Sequence, residues 1–106
     1  IFLLASAFFE ANIDTFVKVA NEQNLPLAAP ATANVWNGAL TSFGHDNVPL
    51  GRQAAGLASQ ILSGMKPGDL PIESAELFLA INLKTANTIG LDVSNDVLKV
   101  TSIIVR

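Results

Sequence analysis

The sequence predicts an α/β fold, a mostly parallel sheet with flanking helices, and two observations support this prediction. Short apolar runs of strand length alternate along the chain with longer segments in which apolar residues recur every three to four positions. Strands that alternate with helices in this way form a mostly parallel sheet on which the helices pack. The predicted order is β-α-β-loop-β-α-β-α-α-β, with right-handed parallel crossovers because strands twist in that sense.

The first element is the apolar run Ile1–Ala5, for which two interpretations are open. A continuous apolar run of this length is typical of a buried parallel strand, which is the interpretation we favour. The small residues Ala5-Ser6-Ala7 also fit a signal-peptidase site, which would make Ile1–Leu4 the end of a signal sequence. The run is shorter than the apolar core that such a signal needs.

The next elements follow from apolar spacing and from residues that stop helices. Glu10–Gln23 is predicted to be a helix with one apolar stripe, and Asn24-Leu25-Pro26 ends it because the residue before proline avoids helical backbone angles. The stripe consists of Ile13, Phe16, Val17 and Ala20. Leu25–Ala29 is then predicted to be a strand, Pro30–Gly38 a loop, Ala39–Phe43 a third strand and Gly44–Asn47 a turn.

The longest predicted helix is Val48–Ser63, with Asp46 or Asn47 as its N-cap and Gly64 as its stop. Its predicted buried stripe consists of Leu50, Ala54, Leu57, Ala58, Ile61 and Leu62. The remaining predicted elements are a strand at Leu77–Ile81, a helix at Leu83–Ile89 capped by Asn82, a helix from Ser94 or Asn95 to Lys99, and a strand at Thr101–Val105.

Composition excludes several classes of protein. A chain of 106 residues is one domain at most. Because 50% of its residues are hydrophobic and only 14% are charged, the composition excludes a disordered chain. The net charge is −3 and the six Lys and Arg residues are not clustered, so nucleic acid is not a predicted partner. There is no Cys for a disulfide, and no apolar run approaches the roughly 20 residues of a membrane helix.

No catalytic or metal-binding pattern is present. The single histidine, His45, lies beside Asp46 in a predicted turn, without a Gly-x-Ser-x-Gly nucleophile motif. Carboxylates lie singly, without the spacing of metal ligands, and no Gly-Lys-Ser/Thr phosphate loop occurs. The sequence therefore predicts a protein that is not an enzyme and has no cofactor and no metal site.

Ligand-binding residues are predicted from the topology. In open α/β sheets ligands bind outside the carboxyl ends of the strands, which selects the loops Ser6–Glu10, Pro30–Asn37 and Gly44–Asn47. Trp36 either stacks on a ligand or covers the core of its own domain, and Asn34 fits both a ligand donor and a turn former. The candidate ligand-binding residues are Ser6, Phe8, Thr32, Asn34 and Trp36.

Five motifs, in their order and spacing, carry a resemblance to a known family. They are Asn24-Leu25-Pro26-Leu27, Gly38-Ala39-Leu40 with Phe43-Gly44, Leu50-Gly51-Arg52-Gln53-Ala54-Ala55-Gly56, Ala58-x-x-Ile61-Leu62-x-Gly64-x-Lys66-Pro67-x-Asp69-Leu70-Pro71, and Ala80-Ile81-Asn82-Leu83-Lys84-Thr85-Ala86-x-x-Ile89-Gly90-Leu91. Together they resemble the ABC transporter substrate-binding proteins, some of which take up amino acids.

The resemblance implies a type I periplasmic-binding-protein fold, in which two α/β lobes are joined by crossing strands and the ligand lies in the hinge cleft. The chain would be the C-terminal portion, with residues 1–37 in the C-terminal lobe, 38–68 in the N-terminal lobe and 69–106 returning to the C-terminal lobe. The implied function is the solute-binding component of an ABC importer, which binds a small molecule such as an amino acid and delivers it to the ABC permease in the membrane. The resemblance also implies a periplasmic or other extracytoplasmic location, with a membrane-anchored lipoprotein as one alternative. A C-terminal portion of such a protein would expose apolar faces, which favour self-association.

Three segments depart from the family pattern. Ser6-Ala7-Phe8 stands where members often carry Thr-Asp or Ser-Asp pairs, and Ala31-Thr32-Ala33-Asn34 replaces acidic or serine residues. His45-Asp46-Asn47-Val48 replaces a segment that usually includes aromatic residues. The predicted cleft is therefore less polar on this side, and the identity of the solute is left open. The alternative function is a ligand-sensing effector domain of a receptor or regulator, because the same fold serves those proteins.

Overall fold

A computed structural model describes all 106 residues, Ile1–Arg106. The helices are α1 (Ala7–Ala11), α2 (Ile13–Glu22), α3 (Ala33–Trp36), α4 (Asn47–Leu62), α5 (Leu83–Thr88) and α6 (Asn95–Val100), with one 3-10 turn at Pro67–Asp69. The strands are β1 (Ala28–Ala29), β2 (Thr41–His45), β3 (Leu77–Asn82) and β4 (Ile103–Val105). No helix combines the length and the apolar character needed to cross a membrane.

The four strands form one sheet in the order β1-β2-β3-β4. β1 pairs with β2 in parallel and β3 with β4 in parallel, whereas β2 and β3 are antiparallel. Helices alternate with the strands along the chain, so the predicted α/β class with a mostly parallel sheet is confirmed. The antiparallel pair of β2 and β3 at the centre of the sheet was not predicted. It arises because α4 and the long segment after it return the chain to the sheet in the opposite direction.

The predicted first strand is reduced to a single bridge. Phe2 pairs in parallel with Ala28, and the backbone of Ile1 and Leu3 bonds to Ala28 at 2.9 Å on either side. Leu3 is buried, but Phe2 and Leu4 are exposed. A strand over the whole of Ile1–Ala5 is therefore wrong in length, because the segment lies at the outer edge of β1 and meets a partner at one position only.

The predicted helix Glu10–Gln23 is split into α1 and α2 at Asn12. The Nδ2 group of Asn12 donates to the carbonyl oxygen of Phe8 at 2.8 Å, which ends α1. α2 buries Ile13, Val17 and Ala20, so three of the four predicted stripe residues are in the core, with Phe16 half-buried. After α2, Asn24 adopts a positive φ of 52°, and the chain turns as predicted before Pro26.

The core lies on one face of the sheet. Cross-strand register places Ala29, Ser42, Ala80 and Ile103 in one row across the four strands. We call this side of the sheet the covered face, because α2 and α3 pack on it. The buried apolar residues there form two clusters. The first cluster is Leu3, Ile13, Val17, Ala20, Leu27, Ala29 and Ala39, and the second is Val35, Ala80 and Val105 with Ile103 packed against it.

The opposite face, which we call the open face, is formed by Thr41, Phe43, Leu77, Leu79 and Ile81, which alternate with the residues of the covered face. The segment from Leu91 to Val97 lies beside it at one end. At the other end Phe43 and Leu77 are 67% and 52% exposed. The uncovered apolar part of this face is therefore at Phe43 and Leu77, whereas Ile81 is buried and Leu79 half-buried.

Helix α4 begins and ends as predicted but buries nothing. The Oδ1 atom of Asp46 accepts from the N–H group of Val48 at 2.8 Å, and Gly64 follows with a φ of +102°. No residue of α4 is buried, and Leu62 is 88% exposed, so the predicted buried stripe is wrong. The reason is that no other element of the chain packs on it; Gln53 bonds to the segment at Glu73 and Ser74 by its side-chain amide alone.

The overall shape reflects this unpartnered helix. The Cα radius of gyration is 17.0 Å and the extents are 55 × 32 × 17 Å. A compact domain of this length has a radius of gyration of about 13 Å. The chain is therefore elongated, with a packed sheet region and a helix that extends from it.

Two further predictions are corrected around the third strand. The predicted loop Pro30–Gly38 contains α3, and the predicted turn Gly44–Asn47 is instead the end of β2 and the start of α4. The predicted cap of α5 at Asn82 is confirmed, and α6 starts at Asn95, one of the two predicted first residues, with Ser94 as its cap. Asn82 accepts from the N–H group of Thr85, and Ser94 accepts from that of Val97.

Candidate functional site

The candidate site lies where β1 and β2 end. Because these strands are parallel, their carboxyl ends face the same edge of the sheet, and the loops that follow them meet there. Between the loops is a cavity of about 220 Å³, which we call the carboxyl-edge cavity. Its walls are Ala31, Thr32, Ala33, Trp36, His45, Asp46, Asn47 and Val48.

Two close contacts hold the walls of the cavity together. The hydroxyl group of Thr32, which is buried, donates to the carbonyl oxygen of His45 at 3.3 Å. A side chain at Gly44 would overlap the carbonyl oxygen of Pro30, so only glycine allows the β1 loop to approach β2 this closely. The two walls of the cavity are thus held together by one side-chain hydrogen bond and one close backbone approach.

Trp36 is held in place by its neighbours on α3. Val35 is fully buried against Ala80 and Val105, and its carbonyl oxygen accepts from the side-chain amide of Asn82 at 2.8 Å. Trp36 itself is 63% exposed, and its indole lines the carboxyl-edge cavity. Most of the Trp36 side chain is therefore accessible from the cavity rather than buried against the core.

The electrostatics of the cavity are simple. Asp46 is the one carboxylate in its walls, and no Lys or Arg lines it. One oxygen of that carboxylate already caps α4 through Val48. Around this charge the walls are apolar at Ala31, Ala33 and Trp36, so the cavity suits an amphipathic small molecule better than a strongly charged one.

The predicted ligand-binding residues are brought together only in part. Thr32 and Trp36 line the carboxyl-edge cavity. Ser6 instead caps α1 by accepting from the N–H group of Phe8, and Phe8 is exposed and packs edge-on against Phe9 with ring centroids 5.6 Å apart. Asn34 is buried with no partner for its Nδ2 atom, outside the cavity walls. The ligand-binding roles of all five residues stay predictions.

Six residues that line the cavity were not among the candidates: Ala31 and Ala33 beside Thr32, and His45, Asp46, Asn47 and Val48 on the opposite wall. The topology rule did select the loop at Gly44–Asn47, but the sequence pattern placed His45 in a solvated turn. In the structure His45 is half-buried as the last residue of β2. These residues could have been found from the predicted order of the parallel strands, because the loops that follow adjacent carboxyl ends meet at one edge of the sheet.

A second cavity, of about 360 Å³, lies on the open face. Its walls are Leu40, Thr41, Leu79, Ile81, Leu91, Asp92, Val93, Ser94 and Val97. It is larger but lies away from the carboxyl ends of β1 and β2, between the sheet and the connection from α5 to α6. We consider it a gap in packing rather than the site. No three metal-ligating side chains lie together anywhere in the chain.

Comparison with known proteins finds a matching protein family and a related protein that binds a small molecule. Residues 1–104 match the family described as ABC transporter substrate binding protein. The chain is 36% identical over 75 residues to a tyrosine-binding protein of Clostridioides difficile (strain R20291), which is 70% of this chain and 22% of that protein.

Two solved structures extend the comparison. One is the ABC domain of Streptococcus pneumoniae in complex with L-Trp, with 27% identity, a TM-score of 0.86 and coverage of 99% of this chain and 36% of that one. The other is a conserved domain protein of Vibrio cholerae, with 30% identity, a TM-score of 0.84 and coverage of 98% and 36%. The chain thus spans about a fifth to a third of the length of these relatives. Because the family match extends over nearly all of its residues, the chain belongs to the ABC transporter substrate-binding protein family.

Proposed function

We propose that this chain contributes to the solute-binding component of an ABC importer and that its solute is an amino acid or a similar small molecule. Family membership supports the solute-binding role. The class of solute is supported by two relatives, one described as tyrosine-binding and the other solved in complex with L-Trp. The component is extracytoplasmic and not an enzyme, and it delivers its solute to a permease in the membrane.

One observation carries the proposal. Thr32, Trp36 and Asp46 come from two different loops and line the same cavity at the carboxyl edge of the sheet. This edge is where open α/β sheets bind ligands. The cavity also combines an aromatic surface, a hydroxyl group and a carboxylate, which together recognise an amphipathic solute.

The proposed mechanism is closure of two lobes around the solute. Residues 1–37 and 69–106 are assigned to one lobe together with β2, which pairs with both β1 and β3 in the same sheet. Helix α4, which buries no residue against the rest of the chain, is assigned to the other lobe, so the carboxyl-edge cavity at the start of α4 lies along the cleft. A solute that contacts both lobes stabilises the closed state by its differential affinity for that state, and the permease recognises the closed form. Ser6, Phe8 and Asn34 are assigned to the cleft side of the first lobe.

A thermal-shift screen of the amino acids tests the proposed class of solute. A ligand at 100 times its Kd stabilises the folded state by about 2.7 kcal/mol, which is several degrees of melting temperature for a domain of this size. We expect one or more aromatic amino acids to raise the melting temperature of the wild-type chain and to lose that effect in Trp36→Ala. No shift with any amino acid, or equal shifts in both proteins, would contradict the proposal.

The importer role has a separate test. Deletion of the gene is expected to lower uptake of the labelled solute that the screen identifies, and expression of the wild-type gene is expected to restore it. Normal uptake in the deletion strain would indicate a sensing role instead, in which solute binding persists without transport.

A further inference from the structure

We propose that the carboxyl-edge cavity holds the ammonium end of an apolar amine, with Asp46 as the opposite charge and Trp36 as the surface for its apolar part. The inference rests on the proposed function, and it names which chemical group of the solute this part of the protein recognises.

The charge of the cavity walls is the first argument. Asp46 is the only acidic residue in these walls, and none of the six Lys and Arg residues lines the cavity. A carboxylate or phosphate group placed here would meet a like charge without a compensating cation. A cationic group meets an opposite charge, and a charge-assisted hydrogen bond is about twice as strong as a neutral one.

The start of α4 does not reverse this preference. A helix N-terminus attracts anions through its free N–H groups, but here those groups are largely used. The N–H group of Val48 donates to Oδ1 of Asp46, Pro49 has no N–H group, and that of Leu50 donates to the backbone oxygen of Asp46 at 3.2 Å. The second carboxylate oxygen of Asp46 accepts no hydrogen bond from the protein, so it is available to an ammonium group.

Trp36 supplies the second argument. Its indole is 63% exposed within the same walls, so a ligand in the cavity meets the aromatic surface directly. A cation near an indole face is attracted by the ring quadrupole, and apolar groups pack against the same face. The 220 Å³ of the cavity exceeds the roughly 150 Å³ of an engineered cavity that binds benzene, so a phenyl group with a short chain fits.

The chain carries its own reporter for this inference. Trp36 is the single tryptophan and there is no tyrosine, so indole fluorescence comes from the cavity alone. Three probes of nearly equal shape differ only in charge: phenethylamine is a cation, 2-phenylethanol is neutral and 3-phenylpropionate is an anion. Their phenyl rings do not absorb at the red edge of the indole band, so titration of each probe reports on Trp36.

The expected order of affinity is amine, then alcohol, then carboxylate, with about a tenfold step between amine and alcohol. Added salt is expected to weaken binding of the amine more than that of the alcohol. Asp46→Asn removes the charge but keeps the helix cap, because Asn and Asp are equivalent N-caps. In this variant the amine is expected to bind no better than the alcohol. Asp14→Asn, an exposed acid in the first turn of α2, is the matched control and is expected to leave the order unchanged.

Each other outcome has a defined meaning. Equal affinity of the amine and the alcohol for the wild-type chain would overturn the assignment of an ammonium site while leaving solute binding intact. A preference for the amine that survives Asp46→Asn would overturn the role of Asp46. No response of Trp36 to any probe would overturn the cavity as a binding site, whereas the thermal-shift screen with amino acids would still report solute binding elsewhere.

Discussion

Replacement of Asn82 by alanine is expected to destabilise the fold through two hydrogen bonds that meet at one side chain. The Nδ2 group of Asn82 donates to the carbonyl oxygen of Val35 at 2.8 Å, and its Oδ1 atom accepts from the N–H group of Thr85 at 3.0 Å. The first bond ties α3 to the end of β3, and the second caps α5. Both Asn82 and Val35 are buried, so water does not replace either bond.

The magnitude follows from the two bonds. Loss of an N-cap side chain costs about 1 kcal/mol. A buried carbonyl left without its partner costs about 1–3 kcal/mol. The expected loss for Asn82→Ala is therefore about 2–4 kcal/mol, a large part of the roughly 5–15 kcal/mol that stabilises a typical domain. With a urea m-value of about 2 kcal/mol per molar, the midpoint falls by about 1–2 M.

Urea unfolding, followed by circular dichroism and by Trp36 fluorescence, measures this loss. Asn82→Ser keeps the cap but not the bond to Val35, so it is expected to fall between wild type and Asn82→Ala. The control is Asn87→Ala, an exposed position on α5, which is expected to change stability by less than about 0.5 kcal/mol. A loss below about 1 kcal/mol for Asn82→Ala, or a loss equal to that of Asn87→Ala, would show that the two hydrogen bonds of Asn82 do not stabilise the fold.

Two further predictions concern close approach and uncovered surface. Gly44→Ala is expected to destabilise the chain by about 3 kcal/mol, because the new side chain overlaps the carbonyl oxygen of Pro30. Gly56→Ala lies on exposed α4, where the added side chain meets nothing within 4 Å, and is expected to stabilise the chain by about 0.5–1 kcal/mol. Urea midpoints of the two variants check this pair, and equal effects would contradict it. The chain is also expected to self-associate through the open face, where Phe43 and Leu77 are exposed, and Phe43→Lys is expected to lower its mass in sedimentation. A monomer at every concentration would count against this surface.

Local signals in the sequence were sufficient for much of the fold. The N-caps at Asp46 and Asn82 and the left-handed stop at Gly64 depend on short-range hydrogen bonds and backbone angles. Asn82 and Gly64 were predicted in these roles, and Asp46 was one of the two predicted caps of α4. The alternation of strands and helices also gave the fold class, because each element has its own apolar period.

Features that depend on distant partners were predicted less well. The apolar stripe of α4 has the period of a buried face, yet no residue of the helix is buried, since periodicity does not reveal whether a partner covers the face. The same limit explains Ile1–Ala5, whose apolar character fits a strand although only Phe2 pairs.

The candidate site shows the same division between local and distant information. Thr32 and Trp36 follow β1 and were selected by the topology rule, and both line the cavity. The opposite wall, from His45 to Val48, was missed because β2 was predicted to end at Phe43, two residues before its actual end. His45 was therefore placed in a predicted turn instead of at the end of the strand. The side chains that form this wall become apparent only when the end of β2 is known.

The most direct test of the account is a map of amide chemical shifts in the ¹⁵N-labelled chain during titration with L-tyrosine, L-tryptophan and phenethylamine. We expect the perturbed amides to cluster in Ala31–Trp36 and His45–Val48, the two walls of the carboxyl-edge cavity. Perturbations centred on Leu91–Val97, beside the larger cavity of the open face, or no perturbation by any of the three, would contradict it.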